Sequence, residues 1–349
     1  MIIFNFKFRD MKKQVLMMAA LALVLGGCSK TETTGSAQGG VIGFAGSGVN
    51  NITKAGDLTD ANFTKFYVYG SYQKTGDTIV DRFTKQEVTK PENENTWGYT
   101  PTQYWANGTW RFGAYYSDAA EGGVVPSWSY AGGLVLDVNS DNSHQGDLVY
   151  AAPENDITVD DATTYSEAVS LTFKHLLSKI QFKFTMGESV AAYTVKLSDF
   201  KVYGMITDGV WTKGALKLGE TEAGTGTEYT DFASAEAIDV TNGLIAGPFY
   251  VIPQDVKTDA DAFTITFNAE VTDGTTVYKN GTVTATVPVG SYPNWDAQNY
   301  YQYSAVIEME NIDDPNTPDE ELQPIVFTVS ELEVWKEMTN VETTLDAVE

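Results

Sequence analysis

The chain has 349 residues, 47 acidic against 22 basic side chains, and a net charge of −25. That balance points away from nucleic acid and from anionic lipid surfaces as partners. A single cysteine rules out an internal disulfide, and two histidines are poor material for a zinc site or a histidine-dependent triad.

Taken in order, the chain opens on a leader, Met1 to Asp10, for which Met11 is the more natural start. Lys12 and Lys13 precede an apolar run, Val15 to Leu25, that ends in Leu25-Gly26-Gly27-Cys28. A basic start, a short apolar segment and small residues before a cut describe a secretory signal. The run is shorter than the roughly 20 residues of a membrane span. Leu-Gly-Gly-Cys looks like a bacterial lipobox, in which the cysteine sulfur is acylated and the chain is cut before it. We expect residues 1–27 to be a lipoprotein signal peptide and Cys28 to carry lipid in the outer membrane. Residues 1–27 hold four basic and one acidic side chain, so the exported part carries about −28.

Residues 28–40 are small, polar and rich in Gly, Ser and Thr, and are expected to be a flexible tether. From Val41 onward the pattern is β. Val41 to Phe44 opens a first strand, followed by Phe63 to Tyr72 and Thr78 to Phe83. Asn107-Gly108, a strong hairpin signal, leads into Trp110 to Tyr116. Leu134 to Val138 and Leu148 to Ala151 complete a first set. The polar stretch Asp156 to Ser166 is expected to be a loop ending at a domain boundary, giving units 41–165 and 166–349.

The second set is expected to begin with Val169 to Phe173. Lys179 to Phe184 alternates strictly and should bury one face. Val195 to Met205, Gly247 to Ile252, Phe263 to Ala269, Val277 to Val287 and Tyr300 to Glu310 are further strands. No sustained 3.6-residue period appears, so helices should be short and rare. Many strands joined by Gly, Asn and Asp turns predict an all-β protein built of sandwiches. An acidic, proline-bearing loop, Asn311 to Glu321, precedes a last strand that starts at Pro324 and takes in Ile325, Phe327, Val329, Leu332, Val334 and Trp335.

Constellations that carry chemistry are sparse. Asp137, Asn139 and Asp141 are spaced like the start of a calcium loop, but Asn142 stands where the turn needs glycine and Leu148 where the closing acid belongs. A hairpin turn is expected instead. Asp156, Asp160 and Asp161 are read as solvated rather than as a general acid–base pair, and His175 as a satisfied structural histidine. Trp97, Tyr99, Tyr104, Trp105, Trp110, Tyr115 and Tyr116 cluster in sequence. They could stack on sugar rings, but aromatic residues on strands more often fill a core. No nucleophile elbow, phosphate loop or metal-ligand motif is present. No catalytic residue, metal or cofactor is expected.

Trp97-Gly98-Tyr99-Thr100-Pro101, Tyr104-Trp105, Phe112 to Tyr116, Asp147 to Ala151, Leu171 to Ile180, Tyr250 to Gln254, Asn299 to Tyr303, and Thr328-Val329 with Trp335 together resemble the fimbrillin-like proteins of Bacteroidetes. Ser29 to Glu32 likewise resembles the surface-export signals of lipoproteins from that group. The resemblance implies two tandem transthyretin-like, Greek-key β-sandwich domains. It also implies a subunit or adhesin of a cell-surface pilus, exported as a lipoprotein. Its partners would be other pilus subunits and host or bacterial surface ligands. In such precursors a Thr-Arg-Ala-like site is cut after the basic residue to remove the first strand. Here it matches Thr53-Lys54-Ala55, with lysine in place of arginine. The last strand, within 323–349, would then be the donor that fills the vacated groove. A monomeric, glycan-binding surface lipoprotein is the alternative, and the fate of Lys54 and of the last strand separates the two.

Overall fold

In a computed structural model of the chain, the described residues are 39–47, 58, 63–74, 76, 78–90, 96–213, 215–219, 227–231, 236–237, 243–256, 263–312 and 325–334. Among them the only helical segments are two 3-10 turns, Glu188–Val190 and Met309–Asn311. The rest is strands and their connections, as the sequence pattern predicts.

In the first half, Gly108–Ser117 lies between Lys65–Gln73 and Leu148–Ala151, with Ile79–Thr89 as one edge. Both faces of this sheet are used. Phe66, Val68, Trp110, Phe112 and Ala114 point into a first apolar core, while Tyr69 and Tyr115 point into another cluster on the opposite side. Period-two alternation therefore runs between two buried faces, and the inner strands read as nearly continuous apolar sequence.

The second half is a sandwich of a four-stranded layer and a five-stranded one, whose short fifth strand, Glu236–Ala237, pairs with Thr194–Met205. One runs Leu244–Val251, Ser178–Met186, Asn299–Ile307 and Phe327–Val334; the other runs Thr227–Asp231, Thr194–Met205, Thr264–Thr272 and Val277–Thr286. Phe182, Phe184, Leu197, Phe200, Phe267 and Tyr303 fill the space between them. Each such buried side chain contributes roughly 1.5–3 kcal/mol of transfer free energy.

The two halves share a third sheet. The hairpin Asp208–Thr212 and Ala215–Leu218 pairs its first strand with Gly133–Asn139, whose other neighbour is Val124–Ser129. Under this sheet lie Leu134, Leu136, Leu148, Leu176, Tyr250 and Ile252, drawn from both halves. Polar bonds cross the same seam. The Gln145 amide donates to the Tyr250 carbonyl at 3.2 Å and accepts from the Tyr250 N–H at 2.7 Å, and the Tyr229 hydroxyl donates to the Ser140 carbonyl at 2.6 Å.

Four expectations need correction. Val169–Thr172 does not open the second set; it pairs in parallel with Phe44–Ser47, and Val169, Leu171 and Phe173 are buried in the first core. Alternation shows that a strand buries one face, not which core covers it. Within the polar stretch after Asp156, Ile157–Val159 is a strand paired with Gly108–Trp110, and Val159 and Ala162 are buried. Lys179–Phe184 buries much of its polar face too, because Lys179 and Gln181 are buried and Lys179 lies over the Tyr300 ring at 4.6 Å and the Tyr250 ring at 5.9 Å. Gly40, expected to lie in the tether, is bonded to the fold, since its N–H donates to the Ala162 carbonyl and its carbonyl accepts from the Trp105 N–H, both at 2.9 Å; residues 28–38 of the expected tether lie outside the described residues.

Candidate strand-exchange site

The segment from Gly39 to Ser47 lies along the first core. The Ile42 N–H donates to the Gln103 carbonyl at 3.0 Å, and the Val169 N–H donates to the Gly43 carbonyl at 2.8 Å. The parallel ladder then runs from Phe44 opposite Val169 to Ser47 opposite Thr172. The Tyr99 hydroxyl donates to the Ile42 carbonyl at 2.7 Å, and burial raises the phenol's pKa, so the group stays a donor. Gly39 and Gly40 are needed where they stand. A Cβ at Gly39 would collide with the Trp105 carbonyl oxygen, and one at Gly40 with that of Tyr165.

Side chains lock the segment in place. Ile42 is fully buried and Phe44 nearly so. The Phe44 ring meets Phe83 at 5.5 Å, Tyr99 at 5.6 Å, Phe66 at 6.0 Å and Phe112 at 6.2 Å, all edge-on. This is the favoured arrangement of aromatic quadrupoles. Val41 points outward and is 54% exposed, so the segment alternates as an edge strand should.

The last strand, Phe327–Val334, is seated on its own sheet. It pairs antiparallel with Asn299–Ile307, from Phe327 opposite Ala305 to Val334 opposite Asn299. Ile325 and Phe327 are buried in the second core, with Phe327 edge-on to Phe184 at 5.8 Å and to Phe182 at 6.1 Å. Val329 is half-buried beside them, and Val326 is 71% exposed. The alternation expected of Ile325, Phe327 and Val329 is present. Leu332 and Val334 fall on the same strand. Among the described residues the strand has one neighbour and forms the outer edge of its sheet.

Cys28, Lys54, Ala55 and Trp335 lie outside the described residues. The Tyr99–Ile42 anchor is absent from the sequence reading; its partners are 57 positions apart, and nothing local to either marks the bond.

The other candidates resolve into structure. Asn139 donates to Asp208 at 2.9 Å, and Asp141 accepts from the Ser143 N–H at 2.8 Å, which closes a turn but not the expected hairpin, because Gly133–Asn139 and Leu148–Ala151 lie in different sheets. Asp156 holds Arg111 through both carboxylate oxygens, and the hydrogen bonds from Thr163 lower the Asp161 pKa. His175 is buried with its Nδ1 2.8 Å from Asp147 Oδ2 and 3.0 Å from Oδ1. Trp105 and Trp110 are buried in the first core with Trp97, Tyr99 and Tyr116 packed against it, and Tyr115 is buried in the cluster on the other face of the sheet. The aromatic cluster is therefore a core and not a sugar platform.

The chain is similar in structure to a fimbrial protein from Bacteroides vulgatus, at 14% identity, with 85% of this chain and 99% of that one covered and a TM-score of 0.54. It is also similar to a fimbrilin from Porphyromonas gingivalis, at 13% identity, with 85% and 98% covered and a TM-score of 0.44. No curated protein sequence matches it. The fimbrillin-like family profile matches residues 53–318, most of the chain. The chain belongs to the fimbrillin-like family.

Proposed function

We propose that the chain is a structural subunit or adhesin of a cell-surface pilus, exported as a lipoprotein through Cys28 and assembled by strand exchange. In this reading a protease cuts after Lys54 and removes the first strand, and the last strand of another subunit replaces it. The observation that carries the reading is the way Ile42 and Phe44 close the first core. Their removal leaves the rings of Phe66, Phe83, Tyr99 and Phe112 uncovered. It also frees the N–H groups of Trp105 and Val169 and the carbonyls of Gln103 and Ala162. A groove with apolar pockets and an open ladder templates an incoming strand.

The donor is Ile325, Phe327 and Val329, continued by Leu332, Val334 and Trp335. Release of the last strand breaks one ladder and withdraws Ile325 and Phe327 from the second core. The uncut first strand keeps the precursor monomeric before it reaches the surface. The first half, whose core includes Val169, Leu171 and Phe173, serves as acceptor and the second half as donor.

The test is gentle trypsin treatment of the purified precursor, with light scattering to follow size. A new N-terminus at Ala55 accompanied by growth into polymers is expected. A cut species that stays monomeric, together with normal surface assembly of a chain truncated after Glu321, would refute strand exchange.

A further inference from the structure

Outside the strand-exchange site, a cavity of about 200 Å3 opens beside the third sheet. Arg111, Trp128, Tyr130, Tyr150, Asn155 and Lys213 are among its lining residues. We propose that this cavity binds one ring of a saccharide bearing a single carboxylate, with Lys213 meeting the carboxylate and Tyr150 and Asn155 meeting the hydroxyls.

The walls are pre-formed. The Trp128 indole donates to Ser71 Oγ at 2.7 Å, and Ser71 in turn donates to Asp81 at 2.6 Å. The Arg111 guanidinium lies 4.6 Å from the centre of the Tyr130 ring. It is fixed there by bonds of 3.0 and 2.8 Å to Asp156 and one of 2.9 Å to the Tyr130 carbonyl. Tyr130 is held by its hydroxyl bond to the Thr109 carbonyl at 3.1 Å. Sugar rings carry apolar C–H faces and polar rims, and planar side chains held in place match the faces at little entropic cost.

The polar groups left over match the rims. Among the described residues, the Tyr150 hydroxyl, the Asn155 amide and the Lys213 ammonium make no hydrogen bond. Tyr150 is half-buried, and burial raises the pKa of its phenol, so it offers a neutral hydroxyl. Arg111 is neutralised by Asp156, which leaves Lys213 as the cation free to meet an anion. Lys213 reaches the cavity only because the hairpin from the second half extends the third sheet, placing its turn beside residues of the first. The single free cation among the described residues lining the cavity matches a single carboxylate, and the net charge of −25 disfavours a polyanion.

The inference uses the adhesin reading only for its role at the cell surface. Binding is measured on the full chain in solution, so its failure is separable from failure of polymerisation. The probes are methyl glucuronoside, methyl glucoside and acetate, titrated by calorimetry and by saturation-transfer NMR. Saturable binding of the glucuronoside is expected. Lys213→Met should weaken it about tenfold and leave the glucoside unchanged, whereas Tyr150→Phe should weaken both by about threefold to tenfold. Unchanged thermal unfolding of the two variants confirms that they are folded. No saturable binding of either sugar, acetate bound as tightly as the glucuronoside, or either variant without effect would overturn the proposal. Sugar binding by a chain that never polymerises would leave it standing and sink the pilus reading instead.

Discussion

Replacement of Phe44 by alanine tests how firmly the first strand closes the first core. The ring is 7% exposed and touches four other aromatic rings edge-on. Truncating a buried phenylalanine costs about 3–5 kcal/mol, the larger values applying where the cavity does not collapse. Here Phe66, Phe83 and Phe112 are held by paired strands on the far side, so the hole stays open and the upper half of that range applies. Val41, three positions earlier and 54% exposed, is the control, and its replacement by alanine should shift stability by no more than about 0.5 kcal/mol. Equilibrium denaturation in urea, read by tryptophan fluorescence, measures both. Trp105 and Trp110 lie in the first core and report on it directly. A loss below about 1 kcal/mol for Phe44→Ala, or equal losses for both variants, would show that the first strand does not close that core.

Other predictions follow from buried polar groups and from the signal. Burial raises the phenol pKa of Tyr115, Tyr229 and Tyr303 well above the ordinary value of 10.0. Their folded pKa values exceed their unfolded ones, so their contribution is complete below pH 10 and is lost as pH rises from there. Stability should fall by up to about 1.4 kcal/mol per pH unit for each, and a flat profile above pH 10 contradicts this burial. Asp147→Ala removes a buried acceptor from the His175 ring and from the Leu148 N–H. It should cost about 1–3 kcal/mol, measured by denaturation. Cys28→Ala should move the protein from the membrane fraction to the soluble one, and unchanged retention would refute the lipid anchor.

The all-β character was legible because strands leave a local mark. Trp110 to Tyr116, Leu148 to Ala151, Val195 to Met205 and Tyr300 to Ile307 each carry the alternation or the aromatic density of the strand found there. Val124–Ser129 was not legible. It contains Pro126, which demotes a strand in sequence and is tolerated here because this strand is the edge of its sheet. The hairpin Asp208–Leu218 was missed because it is short and half-exposed, and its role comes from pairing with a strand about 75 positions away. The same limit applies to the candidate site. The sequence marks Val41–Phe44 and Ile325–Val329 as strands, but whether each is an edge, and what it covers, is decided by long-range pairing.

Removal of the first strand at the cell surface is read directly by the N-terminal sequence of the protein recovered from that surface. A chain that begins at Ala55 is expected. Surface protein that begins uniformly at an acylated Cys28 would contradict it.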